Sequence, residues 1–290
     1  MTILVTGAGS YVANAIIRHL CARNFEVTAT YRTHRPRDLG GAELLQLDLC
    51  EQSGFRRLPR SADAIIHIAA GTPRHTVDEI VKSAAQGAIN LQRYALDSGA
   101  SALVLTSSVS IYGQIRSAIV DETTPILEPD IYGASKFLVE RTFATTADTL
   151  PVIAFRLPSV LGCLESGAWV PSLTRRLLKH ENVTIFNPEA TFNNAIDVDE
   201  LSRFIVSLIA KSFRGFHAFP IAASGSIAVT DVVEILRSSI KSQSAISIDK
   251  ISRRSFTLSS EYATRLFGYE PICIRETLHR FARRVADLTK

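Results

Sequence analysis

The chain has 290 residues, 46% hydrophobic and 21% charged, a balance that suits a folded protein with a sizeable core and excludes a disordered or low-complexity one. With 32 Lys and Arg against 28 Asp and Glu, the net charge is only +4, and the scattered basic residues argue against nucleic-acid binding. Cys21, Cys50, Cys163 and Cys273 lie far apart, without metal-ligand or redox-pair spacing, so reduced thiols in a cytoplasmic protein with no metal site are expected. Met1 leads directly into an apolar strand pattern, without an export signal, and the longest uncharged stretch, Ser98 to Ile115, is broken by glycine and serine. No membrane association is expected.

Thr2 to Thr6 reads as a buried strand, followed by the turn Gly7-Ala8-Gly9-Ser10-Tyr11-Val12-Ala13 and a helix from Asn14 to Cys21. A tight glycine turn between strand and helix lets the backbone approach a pyrophosphate at the positive end of the helix, so a dinucleotide fits here. The second strand, Glu26 to Tyr31, runs into Arg32, where an NAD-binding chain usually carries an acid for the ribose hydroxyl. Arg32, with Arg35 behind it, suits a 2′-phosphate instead and favours NADP over NAD; a solvated basic loop is the other reading. Leu44 to Asp48 reads as a third strand, with Asp48, next to Leu49, placed to accept from an adenine amine.

Asp63 to Gly71 has the continuous apolar character of a buried parallel strand, and its small residues Ala69, Ala70 and Gly71 leave room for a cofactor. His67, within that strand, reads as a core histidine. A helix over Val77 to Ser98 precedes the strand Ala102 to Ser108, whose C-terminal hydroxyls, including Thr106 and Ser108, lie where ligands gather in such sheets. Ser108 is a candidate hydrogen-bond donor to a substrate oxygen. Tyr132 and Lys136 follow at the start of a helix, four residues apart and therefore on one face. A phenol works as a proton donor near neutral pH when a neighbouring ammonium favours its phenolate, and this pair has the right spacing for that, as it has for ordinary helix surface.

These features, with Thr6-Gly7-Ala8-Gly9, Asp48-Leu49, His67-Ile68-Ala69-Ala70, Ser107-Ser108, Ile111-Tyr112-Gly113, Tyr132-Gly133-Ala134-Ser135-Lys136, Arg156-Leu157-Pro158-Ser159-Val160-Leu161-Gly162, Asp197-Val198-Asp199-Glu200 and Phe267-Gly268-Tyr269-Glu270-Pro271, resemble the extended short-chain dehydrogenase/reductases. This family contains nucleotide-sugar epimerases, dehydratases and ketoreductases. The resemblance implies an α/β fold, a Rossmann-type doubly wound parallel sheet with a smaller C-terminal substrate-binding lid. It further implies that Ser108 polarises the substrate, Tyr132 transfers the proton, and Lys136 lowers the tyrosine pKa and holds the nicotinamide ribose. A homodimer through two sheet-flanking helices is implied as well. A soft boundary near Gly162 separates a cofactor domain, 1–162, from a substrate region, 163–290, that interleaves with the sheet.

Several positions depart from the family pattern. Ser10 and Ala13 stand at the second and third glycine positions, where Ser10 slightly crowds the pyrophosphate, and Ala84 replaces an asparagine. Val109 and Ser110 replace the acid pair of the dehydratases, and neither can supply acid or base near neutrality, which argues against a 4,6-dehydratase. Asn193 and Ser159 replace an arginine and an asparagine that contact nucleotide sugars. Diphosphate recognition then falls to cations such as Arg175, Arg176, Arg253 or Arg254.

After the strand Val152 to Phe155, a helix from Val170 to Lys179 carries Arg175, Arg176 and Lys179, followed by a strand near Val183 to Phe186. Trp169 either walls a pocket or packs. Asp199 and Glu200 open a helix to Ala210, and Thr230 suits the cap of a helix from Asp231 to Ile240. The expected function is NADP(H)-dependent reduction of a nucleotide-linked keto-sugar. A nucleotide-sugar epimerase with retained NAD and a non-catalytic dinucleotide-binding protein are the alternatives.

Overall fold

The computed structural model describes residues 1–37, 39–71, 75–164, 167–249, 251 and 254–288. Contacts divide the chain into two compact units. The first is Met1–Gln114, Pro125–Arg156 and Leu201–Phe219, and the second is Ile115–Thr124, Leu157–Glu200 and Pro220–Lys290.

The first unit is built on a doubly wound sheet, as the resemblance implies. Its first five strands are β1 (Thr2–Thr6), β2 (Glu26–Tyr31), β3 (Glu43–Gln46), β4 (Ala64–His67) and β5 (Ala102–Ser108). With the strands Val152–Leu157 and Phe216–Pro220 they form seven strands in the order β3, β2, β1, β4, β5, Val152–Leu157, Phe216–Pro220. The registers Ile3↔Val27, Ile3↔Ala64 and Ala64↔Ala102 are parallel. β4 and β5 are buried along their whole length, which is why they read as unbroken apolar runs: helices cover both faces of such a sheet. Leu4, Ile65, Leu103, Leu91, Phe143 and Val152 share one core, each buried aliphatic side chain contributing about 1.5–3 kcal/mol of transfer free energy.

The strand order reverses between β1 and β4, where open sheets of this kind hold ligands. Gly7, just past β1, has φ +84°, and a Cβ there would lie 2.6 Å from the backbone nitrogen of Ala69, just past β4. The close approach of these two strand ends therefore requires glycine. Helix α1 (Tyr11–Cys21) begins after Ser10, whose hydroxyl accepts from the Ala13 amide at 3.2 Å. Ser10 is thus the helix cap, a use that the reading of it as mild crowding overlooked.

The helix expected over Val77 to Ser98 is three pieces: α2 (Val77–Lys82), a π turn (Ser83–Gly87) and α3 (Ala88–Asp97). Ile80, Ala84 and Ala88 are all buried. Successive four-residue steps drift around a straight α-helix, whereas a wider π turn keeps them on the inner face. Helix α4 (Ile131–Ala144) is capped by Asp130, whose carboxylate accepts from the Gly133 amide at 2.7 Å.

The second unit has its own core, with Leu161, Val170, Leu173, Leu177, Val232, Leu236 and Phe281 among its members. Helices span Trp169–Leu178, Val229–Ser239 and Ile274–Leu288, and Ser159–Leu161 pairs in parallel with Ala195–Asp197. The fully buried Asp197 caps the helix Val198–Leu208 by accepting from the amides of Asp199 and Glu200. Its other oxygen pairs with Arg284 at 3.1 Å. Glu200, read as favouring the helix N-terminus, accepts from the Tyr269 hydroxyl at 2.6 Å. Thr230 is not the cap of its helix: Ala228 holds that place, and the Thr230 hydroxyl, already in the first turn, donates to the Pro188 carbonyl. Among the described residues no helix is long and apolar enough to cross a membrane.

Candidate active site

Ser108 ends β5 and begins a single 3-10 turn, Val109–Tyr112. Its hydroxyl accepts from the Ser110 amide at 3.1 Å, donates to the Ser110 hydroxyl at 3.1 Å and lies beside the Tyr132 phenol, whose ionised form it favours. Lys136 lies one turn beyond Tyr132 on α4, with its ammonium 5.9 Å from the centre of the phenol ring and donating to the Thr106 carbonyl at 2.9 Å. Ser108, Tyr132 and Lys136 are therefore assembled by two elements, the end of β5 and the first turns of α4.

The electrostatics differ from the expectation for Tyr132. Burial holds its phenol above the ordinary value, while the Ser108 hydroxyl pulls the other way. Burial also pushes Lys136 down to about 8, opposed by the carboxylate of Glu140. The ammonium is directed at the Thr106 carbonyl, and the Ser108 hydroxyl is the neighbour that eases ionisation of the phenol. His67 is a core residue, as read from the strand: its Nδ1 lies 2.8 Å from the Thr6 hydroxyl, and burial, then the Lys136 charge, push it down to about 3.

The residues expected to hold a dinucleotide lie at the start of α1 and past the ends of β2 and β4. The first turn of α1 carries no acid, and Tyr11 and Val12 stand there half-buried. Gly9 differs from Gly7 in having no internal reason to be glycine. Among the described residues a Cβ at Gly9 would come within 4 Å of the His34 carbonyl oxygen alone, at an ordinary 3.7 Å, so packing does not require glycine there. Arg32 is exposed past β2, with one guanidinium nitrogen 3.1 Å from Nε2 of His75. Asp48 accepts from the Cys50 amide at 2.9 Å, and Leu49, Ala69 and Ala70 line the ends of neighbouring segments. Gly71 is required by packing, since a Cβ would come within 2.8 Å of Ile80 Cα.

Apart from Ser108, the residues expected to bind substrate belong to the second unit. The Ser159 hydroxyl is buried without a hydrogen-bond partner. Asn193 is fully engaged: its amide donates to the Ala223 and Leu258 carbonyls, and its oxygen accepts from the Leu258 amide. Arg175 donates to the Leu164 carbonyl and Arg176 to that of Asn182, so both secure loops of their own unit. Arg253 lies outside the described residues. Trp169 is 41% exposed, edge-on to Phe192 at 5.2 Å. Two contributors escaped the sequence reading. Ser110 had only its spacing of two from Ser108 as a signal, and Glu140 had its spacing of four from Lys136.

Comparison with known proteins agrees with the fold and gives the family. Residues 3–222 match the model of the NAD dependent epimerase/dehydratase family. Among characterised relatives, dTDP-4-dehydro-6-deoxy-D-allose reductase of Streptomyces bikiniensis is 22% identical, over 97% of this chain and 95% of its own. Ketoreductase adrE of Penicillium rubens is 32% identical, over 81% of this chain and 79% of its own. Among solved structures, UDP-glucose 4-epimerase of Thermotoga maritima with UDP-glucose superposes with a TM-score of 0.85 at 19% identity, covering 100% of both chains. The glycine turn, the doubly wound sheet and these matches together make the chain an enzyme-type member of the NAD dependent epimerase/dehydratase family, within the extended short-chain dehydrogenase/reductases.

Proposed function

We propose that the protein is a cytoplasmic NADP(H)-dependent reductase of a keto group on a nucleotide-linked sugar. The observation that carries this reading is the Ser108 hydroxyl beside the Tyr132 phenol, with Lys136 packed beneath the ring. A ketone held at Ser108 accepts a hydrogen bond from its hydroxyl, and the Tyr132 proton passes to the same oxygen as that oxygen gains charge. The nicotinamide, when bound, supplies the hydride. Ser108 and Lys136 then stabilise the phenolate, and Gly7, Gly9, Ser10, Tyr11 and Val12 receive the pyrophosphate at the start of α1. Val109 and Ser110 offer no acid or base beside Ser108, which supports reduction over elimination. The substrate class follows the reductase relative, and Ser159 is proposed as a substrate contact.

Arg32 supports NADP, because a guanidinium with no neighbouring acid on its strand suits a 2′-phosphate. A charge-assisted contact of this kind is worth about 1.5–3 kcal/mol, or roughly 10–100-fold in affinity. Arg32→Ala is expected to weaken NADPH binding by that factor and to leave NADH binding unchanged. The decisive assay is NADPH oxidation with dTDP- or UDP-linked 4-keto-sugars. Tightly held NAD in the purified protein, with no NADPH consumption, would instead establish the epimerase, the reading favoured by the structural likeness to epimerases.

A homodimer is proposed through α3 and α4, where Ile89 and Leu96 of α3 and Leu138 of α4 remain 38–41% exposed. Apolar residues left outside on two neighbouring helices are suited to a second copy. A solution mass near twice 31.8 kDa checks this, and a mass of 31.8 kDa overturns it.

A further inference from the structure

Lys136 is 7% exposed, and among the described residues its one hydrogen-bond acceptor is the Thr106 carbonyl. A single neutral oxygen does not offset the desolvation of an ammonium, so a lysine in this place tends to lose its proton. Glu140 stands one turn further along α4 on the same face and is itself 1% exposed. Its carboxylate is gripped by Arg156, Nε to Oε1 at 3.3 Å and Nη2 to Oε2 at 3.0 Å. The remaining Arg156 nitrogen, Nη1, donates to the Tyr112 hydroxyl at 3.2 Å, and the guanidinium lies 5.2 Å from that ring's centre. A buried Arg–Glu pair is a poor device for stability alone, because apolar residues of like volume often do as well. Its position beside a buried lysine gives it another use.

We propose that Glu140 is a positioning residue that keeps Lys136 an ammonium, with Arg156 and Tyr112 fixing the carboxylate in place. The titratable and charged groups around Lys136 are His67 on β4, Tyr132 and Glu140 on α4, Asp130 at the cap of α4, and Arg156 on the strand Val152–Leu157. His67 is held neutral by its burial and Asp130 acts on Tyr132, which leaves Glu140 as the carboxylate that favours the charged lysine. Its consequence for turnover rests on the proposed role of Tyr132; the charge on Lys136 does not.

The test is a pH titration of the Lys136 Cε resonance in the full chain, cofactor-free and labelled with 13Cε-lysine, with Lys136→Arg used only for assignment. In Glu140→Gln the Lys136 midpoint is expected to fall by about one pH unit, the scale for a unit charge one helical turn away. In Glu140→Asp, which keeps the charge but withdraws it, the fall is smaller. In Arg156→Gln the midpoint rises, because the carboxylate is no longer shared. An unchanged midpoint in a folded Glu140 variant overturns the proposal. So does failure of all three variants to fold, since the pair would then serve the fold alone. An active Tyr132→Phe enzyme together with the expected midpoints would refute the Tyr132 role and leave the Glu140 role standing.

Discussion

Tyr132→Phe is expected to lower kcat for NADPH-dependent reduction by about 10²–10⁴, the range for loss of a positioned proton donor, with melting temperature and NADPH affinity nearly unchanged. The geometry separates these effects. The Ser108 hydroxyl beside the phenol favours its ionised form, and Ser108 retains both contacts with Ser110 when the phenol is gone. The Lys136 ammonium keeps the Thr106 carbonyl and the ring face, neither of which the substitution removes. The fold therefore loses one partly exposed hydroxyl, worth about 1 kcal/mol, whereas the reaction loses its proton. The burial that raises the phenol also has a sign: the neutral, proton-bearing form persists to higher pH than for a free tyrosine. Stopped-flow NADPH oxidation with a nucleotide-linked keto-sugar, alongside fluorescence titration of NADPH, checks both halves. Turnover near that of the wild type would show that the proton comes from elsewhere.

What was legible in the chain followed the range of each interaction. The glycine turn, the unbroken apolar runs of β4 and β5 and the four-residue Tyr132–Lys136 spacing are local patterns, and each can be read within one segment. The π turn at Ser83–Gly87 could not be read this way, because its cause is the packing of Ile80, Ala84 and Ala88 against an inner surface that other segments supply. The same limit hid the Tyr112–Arg156–Glu140 network. Its members come from a 3-10 turn, a strand and a helix up to 44 residues apart, and each is an unremarkable residue type in its own segment. Asn193 looked available for a ligand because an amide suits one. Its partners, Ala223 and Leu258, lie 30 and 65 residues further on.

Gly133→Ala separates local from tertiary reasoning, because the two predict opposite signs. Considered as a helix residue, alanine should stabilise α4 by about 0.5–1 kcal/mol over glycine. Within the fold, a Cβ at Gly133 would lie 2.3 Å from the Ser110 carbonyl oxygen, 2.8 Å from the Ser110 carbonyl carbon and 3.1 Å from Pro129 Cβ. The first two contacts are backbone and cannot rotate away, so α4 and the turn after β5 must separate. Overpacking of this kind costs about 1–3 kcal/mol and outweighs the propensity gain. The separation also falls at the site itself, since Ser110 holds Ser108 and Gly133 adjoins Tyr132. A displacement near 1 Å between such groups costs about 10²-fold in rate. Gly133→Ala is therefore expected to unfold earlier and to lose about two orders of magnitude in kcat. Gly167→Ala, with nothing among the described residues within 4 Å of its Cβ, should change neither. A Gly133→Ala protein with a raised unfolding midpoint and unaltered kcat would mean that α4 and the Ser110 turn do not meet as closely as their backbones indicate.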